Sequence, residues 1–178
     1  MMALLTIVML GCVGKDQGPI FPDNPNPPAP TPTPEPSEFP LISTDPAFVT
    51  EAMTEDITII LNTKGTAAEG FKGELYAHTG VLTTESASTG DWKHVLSDWG
   101  QNIPECKLES QGDDIWHYTI EGGVHAWYGV PDTETVTHIA FVFRSADNSI
   151  EVKDNGADIL IELAQEGLAV KFLSPKHG

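Results

Sequence analysis

Six large rings carry most of the chemistry that this sequence offers: Trp92, Trp99, Trp116, Trp127, Tyr76 and Tyr128. Sugar faces present C–H groups that stack on indole, while a few polar groups fix orientation. Trp92 and Trp99 lie seven residues apart in a polar, loop-like stretch, with Asp91, His94 and Asp98 beside them. That is the composition of a surface able to hold a glycan. Tyr76 and His78, on a neighbouring segment, join Trp92, Trp99 and His94 as candidate carbohydrate contacts. The same two tryptophans could equally anchor a long loop onto the fold beneath. Trp116 shares an alternating segment with Ile120, which marks it for the core, and Trp127-Tyr128 flanks a tight turn where packing is expected.

Other chemistries find less support. His78, His94, His117 and His125 have no zinc-ligand spacing, since there is no His-x-x-x-His on a helix and no cysteine cluster. Asp113-Asp114, Asp147-Asn148, Asp154, Asn155 and Asp158 form oxygen-rich turns of the kind calcium can use, yet without an EF-hand or a repeat they read as ordinary polar turns. No metal or other cofactor is expected. Glycoside hydrolysis needs two carboxylates set across a cleft, and none of the many here is marked out. There is no Gly-x-Ser-x-Gly elbow and no phosphate-cradling glycine loop. Cys106 stands without a cysteine partner for a disulfide if Cys12 is modified, and it reads as a half-buried structural thiol. No catalytic residue is assigned.

The elements that must position the rings are mostly strands. Ile57-Thr-Ile-Ile-Leu61, Leu75–Thr79, Trp92–Leu96, Ile115–Ile120, Thr137–Arg144, Asp158–Leu163 and Ala169–Leu173 carry β-branched and aromatic residues between turn signals. Ile115, His117 and Thr119 take one face of their strand, and Trp116, Tyr118 and Ile120 the other. About seven short strands with frequent turns predict an all-β sandwich of immunoglobulin-like type. Helix is sparse: a turn or two over 45–52, with Asp45 as N-cap and Pro46 in first position, and a short turn over 123–131 stopped by glycine and proline.

The chain has 178 residues and a net charge of −17, with 26 acidic against 9 basic side chains. Such a balance disfavours nucleic acid and anionic lipid and suits a neutral polysaccharide or a cation. Residues 1–12 read as an export signal ending in a lipidation site at Cys12. The apolar stretch is too short to span a bilayer. Met9 and Leu10 depart from the usual residues before such a cysteine, and no Lys or Arg precedes the stretch, so the true signal is expected to begin upstream. Residues 13–40 form a proline-rich stalk that favours polyproline II, and roughly twenty such residues reach about 60 Å. Residues 41–168 make the β-sandwich module, and 169–178 read as the start of a further domain. The expected place is outside the cytoplasm, tethered to the outer membrane by a lipid anchor.

Gly73-Glu-Leu-Tyr-Ala-His-Thr-Gly-Val81, Asp91-Trp-Lys-His-Val, Asp98-Trp-Gly100, Tyr128-Gly-Val-Pro131 and Ile139-Ala-Phe-Val-Phe-Arg-Ser-Ala-Asp147 carry a family likeness. Over roughly residues 43–165 the chain resembles the N-terminal β-sandwich module of secreted alpha-amylase-type glycoside hydrolases from polysaccharide-degrading Gram-negative bacteria. The resemblance implies a non-catalytic module of starch-binding-like architecture, with alpha-glucan as its partner. It also implies a downstream catalytic domain that these residues do not contain. The competing expectation is a structural spacer with no ligand of its own.

Overall fold

The computed structural model describes residues 40–164. The leader, residues 13–39 of the stalk and the segment 169–178 lie outside the described residues. In chain order the strands are β1 (Ile42–Asp45), β2 (Ile57–Asn62), β3 (Leu75–Thr83), β4 (Glu109–Gly112), β5 (Ile115–Ile120), β6 (Val136–Ser145), β7 (Glu151–Val152) and β8 (Ile159–Glu162). A 3₁₀ turn (Pro104–Cys106) precedes β4, and one short helix, α1 (Gly123–Tyr128), follows β5. Among the described residues no helix is long and apolar enough to cross a membrane.

Two antiparallel sheets result. One runs β1-β2-β5-β4. In the other, β3 pairs along one edge of β6 while β7 and β8 share the opposite edge. Period-2 alternation decides what each sheet buries. Ile57, Ile59 and Leu61 of β2 and Trp116, Tyr118 and Ile120 of β5 point inward from the first sheet. Leu75, Ala77 and Val81 of β3 and Ile139, Phe141 and Phe143 of β6 meet them from the second. Tyr118 packs edge-on against Phe141 at 5.8 Å, and Phe141 stacks on Phe143 at 5.2 Å, so one core joins the sheets. Each fully buried Ile or Phe contributes about 1.5–3 kcal/mol through removal from water. The chain is therefore all-β, as its alternating segments predict.

The helix α1 forms where glycine and proline signals place it. Gly129, in the left-handed conformation, ends it, with its N–H returned to the His125 carbonyl. Tyr128 of that helix is buried, and its hydroxyl meets Thr79 Oγ1 at 2.7 Å. Trp127 packs partly buried against the core and donates its indole N–H to the Tyr118 hydroxyl at 3.0 Å. Trp116 is buried. Cys106 is fully buried rather than half-buried, and burial pushes its thiol pKa up.

Two expected elements are absent. Residues 45–52 do not form a helix: Asp45 is the last residue of β1, paired with Thr58, and bends and turns follow it. A cis peptide bond joins it to Pro46. Trp92–Leu96 is not a strand. Only Lys93 bridges to Val81, and the left-handed backbone of His94 (φ 48°) breaks the extended run immediately after it.

The oxygen-rich turns serve the backbone. Asp113, Asp114, Asn148 and Asn155 all have positive φ, which short polar side chains tolerate. Asp114 Oδ1 accepts the Gly70 N–H at 2.6 Å. Asp147 accepts from the Ser145 hydroxyl and from the hydroxyl and N–H of Ser149, which hold its carboxyl down at about 2.

Candidate functional site

The outer face of the second sheet carries an aligned set of residues. Pairing between β3 and β6 puts Tyr76 opposite Arg144, His78 opposite Val142 and Gly80 opposite Ala140. A solvent-facing sheet would leave these exposed, but the segment 84–103 folds back over them. It leaves β3 at Thr83 and returns along that strand's free edge. Lys93 and Val81 exchange both backbone bonds, at 2.9 and 2.7 Å, and the Leu96 N–H reaches the Thr79 carbonyl at 3.2 Å. Within the loop, Asp91 accepts the Ala87 N–H at 2.9 Å and the Lys93 ammonium at 2.8 Å. The Lys93 contact and then the Ala87 N–H hold its carboxyl below the usual range. Trp92 donates its indole N–H to the Thr89 carbonyl at 3.0 Å.

The loop brings both tryptophans to His78. Trp92 stacks on the imidazole with centroids 5.5 Å apart and planes 26° from parallel. Trp99 meets the same imidazole edge-on at 5.1 Å and 81°. One indole is near parallel to His78 and the other near perpendicular, so the two cannot form a single flat platform. They make a corner with His78 in its angle. Trp99 is 45 % exposed, the more open of the pair. The rings border a shallow cleft of about 440 Å³, whose wall also includes Val95, Val142, Asp91, Lys153 and Asp158.

Beneath Trp99 lies a buried cation. The Arg144 guanidinium stands 5.9 Å from the Trp99 ring and 5.6 Å from that of Tyr76. It donates to the Gln101 carbonyl, to Asn102 Oδ1 at 2.7 Å and to the Ser145 carbonyl at 3.2 Å, tying the far end of the loop to β6. Burial lowers its pKa, though an arginine stays charged at any ordinary pH. Tyr76 is buried. Its hydroxyl donates to Glu74 at 3.0 Å, and Glu74 in turn pairs with Lys107 at 2.5 Å. Tyr76 therefore supports the cleft from below and does not line it.

His78 is held neutral. Burial is the main cause of its lowered pKa and the Arg144 charge adds to it, against the opposing pull of Asp158 and Asp98. Its Nδ1 is buried without a hydrogen-bond partner among the described residues. With that nitrogen closed off, His78 enters the cleft as a ring surface between the two indoles. The two donors to Asp91 favour its ionised form.

The five expected contacts separate. Trp92, Trp99 and His78 converge on the cleft. His94 lies elsewhere, its Nε2 paired with Glu134 at 2.8 Å. Val95, Val142, Lys153 and Asp158 enter the cleft without having been singled out as glycan contacts. Pairing of β3 with β6 brings Val142 there, and the β7–β8 connection brings Lys153 and Asp158, a long-range placement that local spacing cannot show. A groove on another part of the molecule, lined by Glu51, His125, Asp132 and Glu134 among others, has no Trp, Tyr or Phe to meet a sugar face. Among the described residues no group of three or more His, Cys, Asp or Glu could hold a metal ion.

Fold and cleft together define a class: an all-β, two-sheet protein with an aromatic corner on the outer face of one sheet. No family model matches the chain, and no curated protein matches it.

Proposed function

We propose that this chain is a non-catalytic, surface-tethered module of immunoglobulin-like, starch-binding-like architecture that binds alpha-glucan through Trp92, Trp99 and His78. The observation that carries the reading is the corner itself. Two indoles at a steep angle, one of them widely exposed, flank an imidazole that lines the same cleft. The bend of an alpha-linked glucan suits two rings at an angle better than two in one plane. In this reading Cys12 carries the lipid anchor at the outer membrane, the stalk holds the module away from the bilayer, and a downstream catalytic domain of alpha-amylase type uses the bound chain. Tyr76 and Arg144 set the height of Trp99, and His94 braces the loop through Glu134.

The spacer reading has one observation in its favour. Trp92 is partly buried and stacked on His78, as a loop anchor would be.

Affinity electrophoresis of the full chain, in gels with and without soluble starch, separates the two. Retardation that Trp99→Ala abolishes, with circular dichroism unchanged, supports the glucan module. Unchanged mobility of the folded wild type with starch leaves the spacer.

A further inference from the structure

Charges around the cleft are not balanced. Asp91 is paired with Lys93 at 2.8 Å, and Lys153 with Glu151 at 3.2 Å. Asp158, half-buried in the cleft wall, has neither a hydrogen bond nor an ion pair among the described residues. The one unpaired charge lining the cleft, among those residues, is therefore negative. On the opposite side of the Trp99 ring the Arg144 guanidinium already occupies the π-system. A ligand anion would meet Asp158 directly and is unwelcome, whereas a carboxylate next to an indole is a good acceptor for sugar hydroxyls.

We propose that Asp158 is a specificity-determining residue of this cleft, accepting hydrogen bonds from ligand hydroxyls and excluding glycans that carry carboxylate groups. The inference rests on the glucan reading above and adds to it a rule of selection by charge. Exclusion by a like charge at the point of contact is specificity by repulsion, which can discriminate ligands of the same backbone shape. Asp98, in the loop beside Trp99 and outside the cleft wall, is the natural control for the general acidity of the surface.

The test is a tryptophan-fluorescence titration of the full chain with soluble starch and with carboxymethyl starch, at about 20 mM salt, where screening is weak. The wild type is expected to bind the carboxymethylated polymer roughly tenfold more weakly. Asp158→Asn keeps the shape and an acceptor oxygen but removes the charge. It should shrink that ratio by about threefold or more, with Asp98→Asn shrinking it less. A ratio unchanged in Asp158→Asn, or reduced equally by Asp98→Asn, overturns the role of Asp158 while leaving glucan binding in place. A folded wild type that binds neither polymer overturns the glucan reading itself.

Discussion

A β-carbon placed on Gly80 would stand 2.9 Å from the carbonyl oxygen of Lys93 and 3.0 Å from Val95 Cγ2. The loop that carries both tryptophans thus lies directly on β3, and only hydrogen at this position lets it do so. Across the sheet the partner is Ala140, also small. Gly80→Val should push Lys93–Val95 off the strand. Overpacking of this kind costs about 1–3 kcal/mol. The backbone bonds between Lys93 and Val81 should weaken with it. The expected outcome is a lower urea midpoint together with a loss of starch binding, because Trp92 is the residue next to Lys93. Retained binding with a lowered midpoint would show that Trp92 does not depend on the Gly80 contact.

Arg144 fixes the other end of the same loop. It reaches the Gln101 carbonyl and Asn102 Oδ1 while its guanidinium lies near the Tyr76 and Trp99 rings. A hydrogen bond from a charged donor contributes about 1.5–3 kcal/mol. Arg144→Met fills similar volume but drops these bonds, so it should destabilise the protein by at least about 2 kcal/mol. A local signature should accompany it. Without the guanidinium beneath it, Trp99 should become more accessible to a neutral fluorescence quencher in the native state. Destabilisation with unaltered quenching would confine Arg144 to the core.

How much of this was legible in the sequence depended on how local each signal is. Ile115–Ile120 showed its two faces by alternation alone, and the glycine and proline signals placed α1. β4, with Glu109-Ser-Gln-Gly112 all exposed, has no apolar face to announce it, and β7 has only two residues. Both exist because β5 and β6 offer an edge to pair with. Trp92 and Trp99 announced a candidate site by type and company. That His78 would lie between them depended on the fold of a twenty-residue loop, and that Asp158 would join them depended on a connection far along the chain. His94 looked equivalent to His78 in sequence, but its backbone turn sends it to Glu134.

The environment of His78 gives acid sensitivity with a definite sign. Its folded pKa lies below the ordinary 6.5, chiefly through burial and then through Arg144. Between that lowered value and 6.5 the unfolded chain holds a proton that the folded chain does not. The stability contributed by neutral His78 is therefore complete above pH 6.5 and is lost as pH falls through the folded value. His78→Gln should flatten the stability profile in that window. Asp158 and Asp98 oppose the shift, so Asp158→Asn should lower the His78 midpoint further in an NMR titration of the ring proton. A midpoint at or above 6.5 in the wild type would contradict the buried setting of the imidazole.

Thr79 and Tyr128 form a buried hydroxyl pair whose two halves should be energetically coupled. The Thr79 hydroxyl donates to the Ala140 carbonyl at 2.9 Å, so the Tyr128 hydroxyl, 2.7 Å away, is the one that donates to Thr79. Tyr128→Phe leaves the Thr79 bond to Ala140 intact, but the Tyr128 hydroxyl also hydrogen-bonds that of Tyr118, which loses a partner, at a cost of about 1–3 kcal/mol. Thr79→Val keeps the shape but strips a partner from both neighbours. It leaves the Tyr128 hydroxyl buried without its acceptor, a penalty of about 1–3 kcal/mol. The threonine should therefore cost about as much as the tyrosine, though it is the smaller side chain. Chemical denaturation of the two single variants and the double variant measures this directly. In the double variant neither hydroxyl of this pair is left stranded by loss of the other, so its loss should be less than the sum of the two singles. Additive losses would mean that the two hydroxyls act independently, and that α1 is held to β3 by apolar packing alone.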